Sequence, residues 1–141
     1  MDSPLPVVIV GGGPAGLMTG LLLARAGVPV TVIEKHGDFL RDFRGDTVHP
    51  STLEIFHEIG LLEAVLALPH TRIDRLSGRI MGRTLEIADF RRLPVAAPFV
   101  AMMPQWDLLD FMANAASVWP HFTLRMNTEA SGVHSDGSGR I

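Results

Sequence analysis

Cysteine is absent from all 141 residues, which removes disulfides, thiolate metal sites, cysteine nucleophiles and cysteinyl-linked cofactors together. Lysine is almost absent: of the twelve basic residues only Lys35 is a lysine, and fifteen acidic residues outweigh them to a net charge of -3. A chain so balanced lacks the basic footprint of a nucleic-acid binder. There is no long apolar run either. The most apolar stretch, Leu17 to Ile33, is broken by Arg25, Gly27 and Pro29, so no membrane span is expected. The start, Met1-Asp2-Ser3-Pro4-Leu5-Pro6, has none of the basic leader, apolar core and small-residue cleavage site of a signal peptide, and reads as cytoplasmic. The six histidines, His36, His49, His57, His70, His121 and His134, make no H-E-x-x-H or other close ligand pair, so no metal is expected. Repeats and low-complexity segments are missing as well.

What is present is a globular composition, 47% hydrophobic and 19% charged, in a length that supports one domain with its own core. Val7-Val8-Ile9-Val10 is a β-branched apolar run of the kind that forms a strand buried on both faces of a parallel sheet. Gly11-Gly12-Gly13 stops it. Pro14 suits a first helical turn, where its missing N–H costs nothing, and Ala15 to Ala26 continues as helix until Gly27. Val28 to Ile33 is a second strand, which completes a strand–helix–strand unit.

Lys35 to Pro50 is polar and loop-like. Ser51-Thr52-Leu53-Glu54 has the spacing of a capping box, so a helix is expected from there to near Gly60, followed by a short apolar helix from Leu61 to Leu68. Between Arg72 and Met103 the pattern tends to alternate, in Arg72–Leu76, Arg79–Met81 and Arg83–Ile87, and predicts antiparallel strands exposed on one face. Pro104-Gln105-Trp106-Asp107 opens another helix to about Val118, and Phe122 to Met126 is a strand candidate. Ala130 to His134 followed by Ser135-Asp136-Gly137-Ser138-Gly139 predicts a hairpin whose returning arm is only Arg140-Ile141. So short an arm leaves its partner uncovered, and points to a piece of something longer. The expected class is α/β: a Rossmann-like domain over residues 1–141 with residues 72–103 as an inserted antiparallel segment.

Gly11-Gly12-Gly13-Pro14-Ala15-Gly16 fits G-x-G-x-x-G, and its context makes the match specific. It follows a strand, opens a helix, and is followed by Glu34 at the end of the second strand, eighteen residues after Gly16. Gly11 allows the tight turn, Gly13 lets a pyrophosphate approach the backbone, and Gly16 lets the helix lie close. The first helical turn, with Pro14 and Ala15, offers backbone N–H groups and the helix dipole to an anion, with no lysine needed. Glu34 can accept hydrogen bonds from the two hydroxyls of an adenosine ribose, and its charge disfavours a 2′-phosphate.

The stretch Val7 to Lys35 resembles the adenosine-binding unit of FAD-dependent oxidoreductases. Arg44-Gly45-Asp46-Thr47-Val48-His49-Pro50-Ser51-Thr52-Leu53-Glu54, with Ile59-Gly60-Leu61-Leu62 after it, is similar to the single-component flavoprotein monooxygenases of the para-hydroxybenzoate hydroxylase type. The resemblance implies a Rossmann-like FAD-binding domain, FAD as cofactor, NAD(P)H as reducing co-substrate, and hydroxylation of a small aromatic or polycyclic substrate with O2. It implies that Arg44 contacts the FAD pyrophosphate and Gln105 the ribityl side, roles that a planar guanidinium and an amide can fill. Arg44 also sits between Asp42 and Asp46 as a surface ion pair would, Gln105 suits a helix start, and Lys35 either borders the adenosine or is solvated. Asp107 and Asp110 share a helix face, more in keeping with a helix N-terminus than with acid–base work. Met102, Met103 and Trp106 read first as core. The later Asp-Gly and Gly-Asp motifs of that family do not occur here, and no catalytic base is assigned. An NAD-dependent dehydrogenase, a flavin disulfide reductase and a non-catalytic nucleotide-binding module share the glycine fingerprint, although the absence of cysteine removes the redox pair of the second.

Overall fold

A computed structural model describes residues 6–40, 47–135 and 137. In chain order the elements are β1 (Val7–Val10), α1 (Pro14–Arg25), β2 (Val30–Ile33), β3 (Thr47–Val48), α2 (Pro50–Glu58), α3 (Leu62–Leu66), β4 (Thr71–Ile73), β5 (Arg75–Ile80), β6 (Arg83–Asp89), β7 (Val100–Met102), α4 (Gln105–Ser117) and β8 (Phe122–Arg125). They fall into two compact units, Met1–Leu40 with Leu109–Ile141, and Arg41–Leu108. The expected mixed class, a parallel nucleotide-type sheet plus antiparallel strands, is what the chain adopts.

In the first unit β1, β2 and β8 form a parallel sheet in the order β1-β2-β8, with Val7 opposite Val30 and Val30 opposite Phe122. Helix α1 lies on this sheet through Leu17, Leu21 and Ala24, all fully buried. Each buried leucine contributes about 1.5–3 kcal/mol of transfer free energy. A side chain at position 20 would meet Val32 at 2.8 Å and the Phe122 ring at 2.9 Å, so the helix comes down closest over β2 and β8.

Two expectations are corrected here. Strand β1 is not buried on both faces: Val8 and Val10 are 64% and 66% exposed, because α1 covers one face of the sheet and no other described element of this unit covers the second. Strand β2 begins at Val30 rather than Val28. The intervening backbone serves the helix end instead, Gly27 N–H donating to the Ala24 carbonyl and Val28 N–H to the Leu23 carbonyl, both at 3.0 Å.

The second unit has an antiparallel sheet in the order β3-β7-β4, with Val48, Val100 and Ala101 buried. Strands β3 and β7 are too short to announce themselves in sequence. Strands β5 and β6 form a separate hairpin around Met81-Gly82, both at positive φ, as the tight primed hairpin turns require. The hairpin is exposed on both faces rather than one, since a two-stranded ribbon in this unit has no third layer to bury against. At its end Asp89 accepts from the Arg91 backbone N–H and takes two side-chain bonds from Arg91, 2.9 Å and 2.8 Å, closing a short 3-10 turn. Those side-chain bonds are the main reason the Asp89 carboxyl is held down at about 2, against an ordinary 3.8.

The capping box does not form. Helix α2 starts one residue earlier, with Pro50 in its first turn and His49 as cap residue, and no side chain caps it. The Glu54 carboxylate instead accepts the Ala96 N–H at 2.9 Å, a long-range bond that a local reading cannot see. Leu53 and Phe56 of α2 and Val65 of α3 are fully buried in this unit. Residues 130–134 make no strand, and Val133 is exposed. Their expected partner, Arg140-Ile141, lies outside the described residues.

Candidate functional site

At the carboxyl end of β1 the backbone turns through Gly11 at φ +108, a conformation that L side chains avoid. Gly13 then precedes α1, and Leu17 N–H donates to its carbonyl at 2.9 Å to begin the helical ladder. A Cβ on Gly16 would run into the Gly11 carbonyl oxygen, so this residue is fixed as glycine by the fold of the loop itself. Gly13 differs: a Cβ there would meet nothing within 4 Å, which leaves open the space in front of the helix. No side chain caps the N-terminus of α1 among the described residues, and Pro14 has no N–H to satisfy. The N–H groups of Ala15 and Gly16 therefore stand at the positive end of the helix dipole, available to an anion.

Glu34 follows β2 directly, and it is the only buried charged residue among those described, at 3% exposure. Its carboxylate is held from two sides. Oε2 accepts the Gly12 N–H at 2.8 Å, while Oε1 accepts the His36 N–H at 3.0 Å and lies 2.7 Å from His36 Nδ1. The backbone is fixed as firmly, because Glu34 N–H donates to the Arg125 carbonyl and Thr128 N–H donates to the Glu34 carbonyl, both at 2.8 Å. A buried carboxylate gathered by N–H donors is an acceptor group kept in place for a ligand's hydroxyls or for structure.

Within this unit the chain brings together Gly11, Gly13, Pro14, Ala15, Gly16 and Glu34, with Lys35 exposed beside them. Gln105 is the first residue of α4 and belongs to the other unit. Arg44 lies outside the described residues. Sequence reasoning missed two participants. Gly12 fell on a variable position of the fingerprint, yet its N–H reaches Glu34, and a Cβ there would lie 3.1 Å from the Glu34 Cβ. His36 carried no spacing signal at all. The only hint was its position two residues after the acid.

The chain matches the FAD binding domain family over residues 4–140. It belongs to that family. FAD is thus the cofactor of this FAD binding domain, and the residues present suit it: the open space at Gly13 and the uncapped α1 N-terminus fit a pyrophosphate, and the Glu34 carboxylate fits a ribose diol. The domain is 33% identical over 131 residues to a 6-methylpretetramide 4-monooxygenase of Streptomyces rimosus, covering 93% of this chain and 31% of that protein. It is 35% identical over 111 residues to the rifampicin monooxygenase of Streptomyces venezuelae, covering 79% of this chain and 22% of that one. Among solved structures it is similar to the p-nitrophenol 4-monooxygenase PnpA of Pseudomonas putida DLL-E4. The TM-score is 0.81 with 25% identity, over 96% of this chain and 35% of that chain. The chain thus spans about a third or less of the length of these relatives. No helix among the described residues is long and apolar enough to cross a membrane.

Proposed function

We propose that this chain holds the adenosine diphosphate end of FAD in an NAD(P)H-dependent flavoprotein monooxygenase that hydroxylates a small aromatic or polycyclic substrate with O2. The observation that carries this reading is the hydrogen bond joining Gly12 to Glu34, which couples the anion cradle of the glycine loop to the ribose acceptor. The aromatic and polycyclic substrates named for its relatives support the substrate class.

In this reading Gly11, Gly13, Pro14, Ala15 and Gly16 shape the pyrophosphate cradle, and the N–H groups of α1 neutralise its charge through the helix dipole. Glu34 accepts the ribose hydroxyls and, being anionic, turns away a nucleotide with a 2′-phosphate. Lys35 borders the adenosine, Arg44 pairs with the pyrophosphate, and Gln105 hydrogen-bonds the ribityl chain. When bound, the flavin supplies the redox and oxygen chemistry, while the chain binds, orients and shields it from water. The reading places the protein in the cytoplasm, where NAD(P)H is at hand, and subcellular fractionation checks that placement.

Titration of the protein with FAD and, separately, with NAD tests the assignment by flavin fluorescence and calorimetry. FAD binding in the micromolar range or tighter, with weak response to NAD, is the expected result. Micromolar NAD binding with no response to FAD overturns it. Substrate-dependent NAD(P)H oxidation with incorporation of labelled oxygen then tests the monooxygenase activity.

A further inference from the structure

We propose that the tip of the β5–β6 hairpin docks on an anionic lipid surface, with Ile80 and Met81 entering the interface and Arg79 and Arg83 meeting the headgroups. Charge is unevenly spread along this chain. The segment from Arg72 to Arg92 holds six of the twelve basic residues and only three of the fifteen acidic ones, so a chain of net charge -3 carries a locally positive element. Three of those arginines are engaged by acids: Arg75 lies 3.7 Å from Glu86, and Arg91 and Arg92 share Asp89 at 2.8 Å and 3.8 Å. Arg79 and Arg83 are exposed, and their side chains make no ion pair or hydrogen bond among the described residues.

The same hairpin carries an apolar face. Its register sets Gly78 opposite Leu85 and Ile80 opposite Arg83, and Ile87 leans over Gly78, where an added Cβ would lie 2.7 Å from its Cδ1. Ile80, Leu85 and Ile87 thus share one face, at 54%, 48% and 61% exposure, and Met81 in the turn is 98% exposed. A two-stranded ribbon is marginal in water by itself, and apolar side chains gathered on one exposed face mark a surface that meets a partner. That partner must also suit the arginines. Arg83 stands beside Ile80 on the apolar face, whereas Arg79, opposite Thr84, stands on the other face. The cations therefore bracket a convex apolar tip from both sides. An acidic protein patch laid against one face would reach one arginine. The headgroup layer around an inserted tip reaches both, and its acyl boundary receives Ile80 and Met81, which favours lipid.

The test uses the full chain and phosphatidylcholine vesicles with and without phosphatidylglycerol. The wild type should sediment with the anionic vesicles alone and be released by added salt. Arg79→Gln combined with Arg83→Gln should weaken vesicle binding roughly thirtyfold, about fivefold for each arginine, with an unchanged thermal melt. Because the chain has no cysteine, Met81→Cys carrying an environment-sensitive fluorophore reports on the tip alone, and its emission should shift to the blue when anionic vesicles are added. Failure of the wild type to sediment with these vesicles overturns the proposal, as does sedimentation that salt leaves intact. Sedimentation without a blue shift assigns the binding to another surface and overturns it too. Retention on immobilised polyglutamate without vesicle binding makes the partner an acidic polypeptide instead of a lipid. A blue shift that grows with protein concentration before any lipid is added makes it a second copy of the chain. Either result refutes lipid docking.

Discussion

Glu34 accepts a 2.8 Å hydrogen bond from the backbone N–H of Gly12, twenty-two residues earlier in the chain, and so ties the end of β2 to the loop that ends β1. The acid is thereby part of the loop's structure as well as its chemistry. Replacing it with alanine leaves a buried N–H without its partner, at a cost of about 1–3 kcal/mol. Glu34→Ala is expected to lower the melting temperature and weaken ADP binding together. Glu34→Gln keeps an acceptor oxygen for Gly12 but turns an amide NH2 toward the His36 N–H, so it should retain part of the stability that alanine loses and lose affinity for ADP. Thermal melts read beside calorimetry separate the two effects, and full ADP affinity in the glutamine variant would contradict the assignment.

Gly13 and Gly16 should respond to the same substitution in opposite ways. Alanine at position 16 collides with the Gly11 carbonyl oxygen, so the loop must open and the fold should be visibly destabilised in urea. Alanine at position 13 meets nothing within 4 Å and suits the local φ of -77, so its stability should stay within about 0.5 kcal/mol of the wild type. Its methyl group projects into the space assigned to the pyrophosphate. FAD affinity should fall although the urea midpoint does not move, and unchanged affinity would remove the pyrophosphate from that position.

Helix α2 offers a check on where Glu54 acts. Ser51→Ala should be almost silent, within about 0.5 kcal/mol, because no side chain caps this helix. Glu54→Ala removes the acceptor of the Ala96 N–H and should cost about 0.5–1.5 kcal/mol in chemical denaturation. A larger loss at Ser51 than at Glu54 would restore the capping box.

Asp89 supplies a pH dependence of known sign. Its carboxyl titrates at about 2 in the folded chain, chiefly through the Arg91 side-chain bonds, against an ordinary 3.8. A depressed folded value means that the unfolded chain takes up the proton first as pH falls. The stabilisation is present in full above about pH 4 and is lost between there and pH 2. Asp89→Asn should therefore flatten the stability profile in that window and leave its shape near neutrality unchanged. Denaturation midpoints at pH 2, 3, 4 and 7 for both proteins give the comparison, and parallel profiles would show that the Arg91 pair contributes nothing.

The sequence made the nucleotide unit legible because its signals are local. A β-branched run, a glycine turn, a proline at a helix start and an acid at a strand end each act over a few residues, and together they locate β1, α1, β2 and Glu34. The antiparallel strands were legible as a class but not by their partners. Thr47-Val48 pairs with Ala101-Met102 across more than fifty residues, and strands this short carry no periodicity of their own. The segment 130–134 erred the other way, with a strand-like pattern and no described partner.

What the sequence determined by itself is the chemistry available: a glycine loop free of bulky side chains, an acid able to accept hydrogen bonds at the end of the second strand, and no cysteine. Tertiary structure decided which groups hold that chemistry in place. It bonded Glu34 to Gly12 and His36, diverted Glu54 from its own helix to Ala96, and left one face of β1 open. The reason is physical. Propensity and patterning act on neighbours in the chain, whereas a buried polar group takes whatever partner folding brings within about 3 Å, and that partner can lie anywhere in the sequence.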